Sequence, residues 1–179
     1  MIYGIFILAL IAIVYFISMC WIVIGFLKIK RKNSLVLKID RSTKISVIIP
    51  FRNEQDNILH CLSSFQNQNF SSDSFEIILV NDHSTDLSVK IVDSFISNTN
   101  INIQLISLIT ETSKKAALKH GINFASHPII ATTDADCIVP KNWLQSIAYH
   151  SHRNNAMLLG PVMFSKMPGF LAAFQILDM

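Results

Sequence analysis

"KISVIIPFRNE", residues Lys44 to Glu54, places a run of branched apolar side chains directly before a proline and a polar segment. A short apolar run that ends at a proline is typical of a buried strand, and we predict one over Lys44 to Pro50. The next segment, "RNEQDNILHCLSSFQNQ", repeats its apolar residues at helical spacing and predicts a helix. Asn53 and Asp56 resemble a capping box at the start of that helix. A strand followed by a helix is therefore the first unit of the fold.

The same unit recurs towards the C-terminus. Strands are predicted at "FEIILVND", "INIQLISL" and "PIIATTDAD", with a fifth at "AMLLGPVMF". Helices are predicted at "DLSVKIVDSFISN", with Ser84 or Thr85 as its cap, and at "KKAALKHGINFA" and "NWLQSIAYH". Strands that alternate with helices at this spacing are typical of parallel crossover units. The predicted fold class is therefore α/β, with a mostly parallel sheet flanked by helices.

The N-terminal segment, Met1 to Leu27, contains no charged side chain. A helix needs roughly 20 apolar residues to cross a bilayer, so residues 1–27 are predicted to be a transmembrane anchor. A signal peptide would carry a basic residue before the apolar run and a small-residue cleavage site, and neither is found here. "KIKRK", Lys28 to Lys32, opens a predicted basic juxtamembrane linker over 28–43 and favours the cytoplasmic side. We therefore predict a single-pass membrane protein whose domain, residues 44–179, is cytoplasmic.

The composition excludes several other classes of protein. Hydrophobic residues make up 51% of the chain and charged residues 15%, which is too apolar for a disordered chain. The formal net charge of +3 is accounted for by the basic cluster after the anchor, so nucleic acid is not expected as a partner. Cys20, Cys61 and Cys137 are odd in number and far apart, and they predict neither a disulfide framework nor a paired metal site.

The predicted strand ends carry the candidate site, because ligands of open parallel sheets bind beyond the carboxyl ends of the strands. Neither a GxGxxG motif nor a Walker loop follows a strand, so those phosphate-binding sites are excluded. Asp134 and Asp136 lie one residue apart after the fourth predicted strand, and Mg²⁺ or Mn²⁺ would relieve their mutual repulsion. The alternative for an isolated pair is an Asp-rich turn in which Asp134 caps the next helix.

Four segments taken together favour a metal site over an ordinary Asp-rich turn. "SVIIPFRNE", "VNDHSTD", "KKAALKHG" and "DAD" occur in this order at the ends of predicted strands and the start of a predicted helix. The ordered set resembles the family 2 glycosyltransferases with the GT-A fold, over about Lys44 to Pro161. The sequence departs from the family pattern at Asn81, where aspartate is common, and at His83, where a small residue is common. Ser113 and Lys119 are further departures, in place of the usual Gly and Asn.

The resemblance implies a role for each matching residue. Asp82 would accept the imide N–H of uracil in a UDP-sugar, and Lys114 would lie near the ribose or phosphate. Asp134 would contact the ribose or sugar side, and Asp136 would ligate the divalent cation, Mg²⁺ or Mn²⁺, with Asp134 as a second metal ligand. The remaining residues implied in nucleotide-sugar binding come from the end of the first strand: Pro50, Phe51, Arg52 and Glu54. The resemblance also implies that Trp143 packs under the sheet.

The activity that the resemblance implies is metal-dependent, inverting transfer of a sugar from a nucleotide-diphosphate donor to a glycan or lipid-linked acceptor, as in polysaccharide biosynthesis. The family's general base lies in a later acidic block that has no match here, and Asp178 is a poor candidate for it. We therefore expect the N-terminal part of a membrane-anchored member, with the C-terminal part of the fold missing. The alternative is an inactive nucleotide-sugar-binding fragment or partner subunit. A nucleotidyltransferase is a weaker alternative, since it would need a Gly-rich basic loop after the first strand.

Overall fold

Four parallel strands form one sheet that follows the predicted order of elements. In this computed structural model, which describes residues 2–32, 43–151 and 157–160, the sheet has the order β3-β2-β1-β4, and each pair of neighbours is parallel. The predicted mostly parallel sheet is therefore confirmed. The strands are β1 Ile45–Phe51, β2 Phe75–Asn81, β3 Asn102–Ser107 and β4 Ile129–Thr132.

Helices connect the strands and cover both faces of the sheet. One face packs against α2, α3 and α5 around the buried side chains of Val47, Ile49 and Phe65, and the other packs against α4 around Ile48 and Val80. All seven residues of β1 and all seven of β2 are buried, as expected for central strands of a sheet covered on both faces. The helices are α1 Ile2–Lys32, α2 Ile58–Gln66, α3 Ser88–Ile96, α4 Lys114–Asn123 and α5 Trp143–Ser151, with a 3₁₀ turn at Ser72–Ser74.

The N-terminal helix α1 is treated by itself, since the chain divides into two units, Met1–Leu37 and Lys38–Met179. Within α1, Ile5–Gly25 is a stretch of 21 residues that is long and apolar enough to cross a membrane. The hydroxyl of Ser18 donates to the carbonyl of Val14 at 2.7 Å, so this polar group has a partner within the helix itself. Of the predicted linker 28–43, residues 28–32 belong to helix α1, and residues 33–42 lie outside the described part of the chain.

Both predicted helix caps are wrong. Helix α2 begins at Ile58, its N-cap is Asn57, and no side chain caps it, so Asn53 and Asp56 form no capping box. Helix α3 begins at Ser88, after both Ser84 and Thr85. The physical reason is that Asn53 and Ser84 bond to each other across the loops that follow β1 and β2, and therefore do not cap a helix.

The predicted fifth strand is not seen in the part that is described. Residues 157–160 have no regular secondary structure, and the rest of the segment lies outside the described residues. The prediction for Trp143 agrees with the structure: its ring is partly buried against the core and meets the ring of Phe65 edge to face, with centroids 6.1 Å apart.

Gly121 in α4 allows this helix to lie directly on the sheet. A Cβ atom at this position would lie 2.6 Å from Cγ2 of Ile48 in β1 and 3.0 Å from Cγ2 of Val80 in β2. Separations this short are repulsive, and both contacted side chains are themselves packed in the core. A glycine is therefore required where α4 crosses β1 and β2.

The N-terminal edge of the sheet contains a buried carboxylate. Glu76 pairs with Ser46 in the register of β1 and β2, and its Oε1 accepts from the Ser46 hydroxyl at 2.6 Å and from the Ser126 backbone N–H at 2.7 Å. The Ser46 hydroxyl oxygen in turn accepts from the backbone N–H of His127 at 3.1 Å. These bonds attach the loop between α4 and β4 to the start of β1 and β2.

The pKa of Glu76 is lowered from its ordinary value of 4.5. Burial is the largest single influence and acts to raise it, but the hydrogen bonds from Ser46 and Ser126 and the proximity of His127 outweigh burial. The unfolded chain therefore binds a proton at this carboxylate more readily than the folded chain does. The resulting stabilisation is present above the ordinary glutamate pKa and is lost as the pH falls below it.

We expect Gly121→Ala to lower the free energy of unfolding by about 1–3 kcal/mol, because the methyl group overpacks the contact between α4 and the sheet. Urea unfolding of the chain in nanodiscs, followed by tryptophan fluorescence, measures this. Lys119→Ala, at an exposed position of the same helix, is the matched control and should change it by about 0.5 kcal/mol or less. Equal effects of the two substitutions would contradict the close packing.

We expect Glu76→Gln to destabilise the chain most at neutral pH, because the amide oxygen accepts the same hydrogen bonds without the negative charge that strengthens them. The difference in the free energy of unfolding between variant and wild type should shrink as the pH falls below 4.5, where Glu76 of the wild type becomes protonated and no longer stabilises the fold as a carboxylate. Unfolding curves over a pH series provide the measurement, and Asp73→Asn, at an exposed site, is the control. A pH-independent difference would show that the ionisation of Glu76 does not contribute to stability.

Candidate functional site

The loops that carry the predicted site residues leave the sheet at the same edge. β1 lies between β2 and β4, and it runs parallel to both. Asp82 follows β2, Asp134 and Asp136 follow β4, and Glu54 follows β1. Since neighbouring strands are about 4.8 Å apart, β2 and β4 lie about 10 Å apart across the sheet. Along β1, β2 ends opposite Phe51 and β4 ends opposite Ile48. The sheet thus brings together the acidic residues that sequence reasoning assigned to one site.

Lys114 neutralises one of the two carboxylates after β4. Its Nζ lies 2.6 Å from Oδ1 of Asp134, and both side chains are about half exposed. Lys114 is the first residue of α4, and the hydroxyl of Ser113 caps that helix by accepting from the N–H of Ala116 at 3.0 Å. The "KKAALKHG" segment therefore places a lysine, the first residue of α4, next to the Asp-x-Asp turn that follows β4.

Two cysteines contact the Asp-x-Asp turn. The carbonyl oxygen of Asp134 accepts from the backbone N–H of Cys137 at 3.2 Å and from the buried thiol of Cys61 at 3.7 Å. The thiol of Cys137 contacts Oδ1 of the exposed Asp136 at 3.6 Å. Burial, together with the nearby Cys137 and the acidic side chains, raises the pKa of Cys61 to about 12. Cys61 is therefore a neutral thiol that supports the turn.

The donor set at this turn suits a hard divalent cation. No group of three or more His, Cys, Asp or Glu side chains is clustered in residues 2–32, 43–151 and 157–160, so these residues form no complete protein cage for a metal. Mg²⁺ and chemically similar cations are commonly held by one or two carboxylates together with substrate phosphates and water. The exposed carboxylate of Asp136 and the half-exposed one of Asp134 fit that mode of binding, provided that Asp134 exchanges its bond with Lys114.

The loops after β1 and β2 are joined by hydrogen bonds from side chains. Asn53 has a φ of 55°, and its Oδ1 accepts from the N–H of Thr85 at 2.8 Å, while its own N–H donates to the Ser84 hydroxyl at 3.0 Å. The N–H of Glu54 donates to the Ser88 hydroxyl at 2.8 Å. A second pair of bonds links Gln55 to Asp86 and Leu87. The two loops therefore form one unit, and the roles of Asn53 and Asp86 in it were missed from sequence, because nothing local indicates a partner about 30 residues away.

Asp82 is the most enclosed acidic residue of this edge. Its backbone N–H donates to the carbonyl of Phe51 at 2.9 Å, and its side chain is only 11% exposed. Nδ1 of His83 lies 3.1 Å from Oδ1 of Asp82. Asn81 accepts from the N–H of Ser84 at 2.9 Å through Oδ1, so this departure from the family pattern serves as a turn residue.

The four predicted nucleotide-binding residues at the end of β1 differ in how exposed they are. The side chain of Phe51 is 3% exposed and belongs to the core, and Pro50 is also buried. Arg52 is exposed, and Glu54 is half-buried, with its Oε2 accepting from the side-chain amide of Asn57 at 2.9 Å. Roles for these four residues in binding a nucleotide stay predictions.

A cavity of about 340 Å³ lies beside the end of β3. It is formed between the β3–α4 loop, including Ile109 and Glu111, and the side of α4 that carries Lys119 and Asn123. None of the predicted site residues lines it. The acidic edge is instead an open surface formed by strand tips and loops.

Residues 46–176 match the sequence profile described as glycosyl transferase family 2. The chain belongs to this family. It is 32% identical over 101 residues to the glycosyltransferase AglE of Haloferax volcanii, and 31% identical over 93 residues to a poly(ribitol-phosphate) beta-glucosyltransferase of Bacillus spizizenii. These alignments cover 56% and 52% of this chain but 33% and 15% of the two relatives. The chain therefore spans a third or less of the length of these curated relatives.

Solved structures confirm the GT-A-like fold. The mannosyltransferase PcManGT of Pyrobaculum calidifontis, in complex with GDP-Man and Mn²⁺, superposes with a TM-score of 0.58 at 21% identity. Residues 1–349 of TarS of Staphylococcus aureus, in complex with UDP-GlcNAc, superpose with a TM-score of 0.56 at 24% identity. The superpositions cover 75% and 69% of this chain but 40% and 39% of those chains. At these identities, the likeness shows the fold alone.

We expect Asn53→Ala to lower the free energy of unfolding by about 1–2 kcal/mol more than Asn53→Gly does. Both substitutions remove the bond to Thr85, but only glycine adopts a φ of 55° without strain. Thermal unfolding of the chain in nanodiscs measures the difference. If the two variants were equally stable, the left-handed conformation of Asn53 would not be a property of the folded state.

Proposed function

We propose that this chain binds the donor of a membrane-held glycosyltransferase, which moves a sugar from a UDP-sugar to a glycan or lipid-linked acceptor with Mg²⁺ or Mn²⁺ as cofactor. The observation that carries the proposal is that Asp82, Asp134 and Asp136 lie at one edge of the sheet in a member of glycosyl transferase family 2. A UDP-sugar offers a base donor and a diphosphate, which are chemical complements of an enclosed carboxylate and of a cation-binding turn.

The Asp-x-Asp turn would hold the cation and the diphosphate. In this proposal Asp136 and Asp134 hold Mg²⁺ or Mn²⁺, which when bound neutralises charge on the departing diphosphate. The ammonium group of Lys114 bonds to Asp134 at 2.6 Å in the free protein. A phosphate oxygen is an equally good partner for this ammonium group, so donor binding would transfer Lys114 from the carboxylate to the diphosphate.

The transfer itself would follow an inverting course. The oxygen of an acceptor hydroxyl attacks the anomeric carbon, the bond from that carbon to the β-phosphate oxygen breaks, and UDP departs with the bonding electrons. A general base takes the hydroxyl proton. We assign this base to none of the described carboxylates, and Asp178 lies outside the described residues. Because this chain spans only 33% and 15% of two curated relatives, we propose that the acceptor site and base belong to a longer protein.

The membrane would hold the donor site close to its acceptor. The apolar stretch Ile5–Gly25 of α1 is long enough to serve as the anchor. The basic residues of Lys28 to Lys32 favour the cytoplasmic side, where they would face anionic headgroups. We propose the organisation 1–27 anchor, 28–43 linker and 44–179 donor-binding domain, acting on a lipid-linked glycan or a growing polysaccharide.

We expect the chain in nanodiscs to bind UDP in the presence of Mn²⁺ or Mg²⁺ and to lose that binding in EDTA. Asp136→Asn should weaken metal-dependent UDP binding by roughly tenfold or more, because a charged ligand of the cation is lost. Isothermal titration calorimetry measures this, with Asp93→Asn, at an exposed position of α3, as the control. Unchanged UDP affinity in Asp136→Asn would remove the cation site from the proposal.

A second assay separates a transferase from a module that only binds the nucleotide-sugar. The second alternative is favoured by the small share of the curated relatives' length that this chain covers. UDP release from UDP-sugars, followed over time with Mn²⁺, reports turnover. Turnover that Asp136→Asn abolishes identifies this chain as active by itself. Binding without turnover identifies it as the donor-binding part, which needs further sequence or a second subunit for the base.

A further inference from the structure

We propose that His83 selects the nucleobase of the donor: by donating to one oxygen of Asp82, it competes with the ligand for that oxygen, which disfavours the paired donors of guanine more than the single donor of uracil. The inference rests on the proposed donor site at Asp82 and adds a residue that determines its specificity. Solved proteins of similar fold hold either GDP-Man or UDP-GlcNAc. The fold by itself therefore accepts both bases, and the choice between them has to be made by local side chains.

The contact between the two side chains is direct. Nδ1 of His83 lies 3.1 Å from Oδ1 of Asp82. A carboxylate only accepts hydrogen bonds, so Nδ1 carries the proton and donates it. The backbone of Asp82 cannot easily move away from this contact, since its N–H donates to the carbonyl of Phe51 at 2.9 Å.

The backbone of His83 is held in a strained conformation that presents the ring to Asp82. Its φ is 58°, in the left-handed region that favours glycine. The turn is fixed on one side by Asn81, whose Oδ1 accepts from the N–H of Ser84 at 2.9 Å. On the other side, Nε2 of His83 lies 3.5 Å from the carbonyl oxygen of Ile109, which is a contact and not a hydrogen bond when the proton is on Nδ1. Strain of this kind at a candidate ligand site is an observation from which a functional role can be inferred.

The second oxygen of Asp82 remains available for a ligand. The hydrogen bonds within the described part of the chain provide Oδ2 with no partner, whereas Oδ1 bonds to His83. Every buried side-chain oxygen in that same part has a partner, so Oδ2 must reach solvent. Asp82 therefore presents one oxygen without a competing donor and one that is shared with His83, at an otherwise enclosed position where its side chain is 11% exposed.

The number of adjacent donors distinguishes the two bases at such a carboxylate. The pairing edge of uracil has a single donor, the N3–H, between two carbonyl acceptors, and it needs one oxygen. Guanine has two adjacent donors, N1–H and the N2 amino group, which match both oxygens of a free carboxylate in a bidentate pair. With His83 donating to Oδ1, one guanine donor has to share that oxygen, and the weakened bond corresponds to a loss of about 10–100-fold in affinity.

The experiment compares UDP and GDP binding to the full chain in nanodiscs with Mn²⁺ by calorimetry. Wild type should bind UDP about 10–100-fold more tightly than GDP. His83→Gly allows the left-handed backbone but removes the ring, so the UDP:GDP affinity ratio should fall by about tenfold or more. His83→Asn also tolerates the left-handed backbone and carries a side-chain N–H donor, so it should retain more of the preference than glycine does.

Two controls separate the possible failures. Thermal unfolding should show His83→Gly to be at least as stable as wild type, because glycine relieves the strain at φ 58°, so lost discrimination is not caused by unfolding. An unchanged UDP:GDP ratio in His83→Gly, or a wild type that prefers GDP, would overturn the role of His83 and leave the donor site intact. Absence of UDP binding to wild type, or full UDP affinity in Asp82→Asn, would overturn the site at Asp82 itself and this inference with it.

Discussion

Parallel pairing of β1 with β2 on one side and β4 on the other is the constraint on which the rest of the domain depends. Seven consecutive residues of β1 are paired with β2, and four of them also pair with β4. Because the three strands run in the same direction, the loops that follow them all emerge at one edge. Apolar burial on both faces holds this register, since a shift by one residue would exchange the side chains that face α2 with those that face α4.

The acidic edge that results is stabilised by partners within the same unit of the chain. Lys114 bonds to Asp134, His83 bonds to Asp82, and the side-chain amide of Asn57 bonds to Glu54. Each partner reduces the repulsion between carboxylates that the parallel strands bring to one side. The same arrangement prepares the edge for a ligand, since a cation or a phosphate can replace one partner without moving the strands. In the proposed function, the site would therefore be assembled before the donor arrives, and binding would require the exchange of side-chain contacts.

The apolar packing beneath this edge determines the position of its polar groups. Gly121 allows α4 to approach β1 and β2 closely, and that approach fixes where the first residue of α4, Lys114, meets the Asp-x-Asp turn. Cys61 supports the same turn from the core as a neutral thiol. The geometry of the site thus follows from apolar contacts as well as from its charges.

The sequence by itself determined the alternation of strands and helices, the parallel sheet, the family and the set of acidic residues at the strand ends, since apolar periodicity and short motifs are local properties. Only the tertiary structure decided the partners of those residues. The sequence predicts Asn53 in a capping box within its own loop, but Asn53 and Asp86 bond across the two loops because parallel β1 and β2 lie side by side. In the sequence His83 is only a departure from the family pattern, and its position against Asp82 depends on a left-handed backbone that sequence does not reveal. Contacts between residues distant in the chain are set by packing and register, and this is why side-chain roles at the site could not be derived from local pattern.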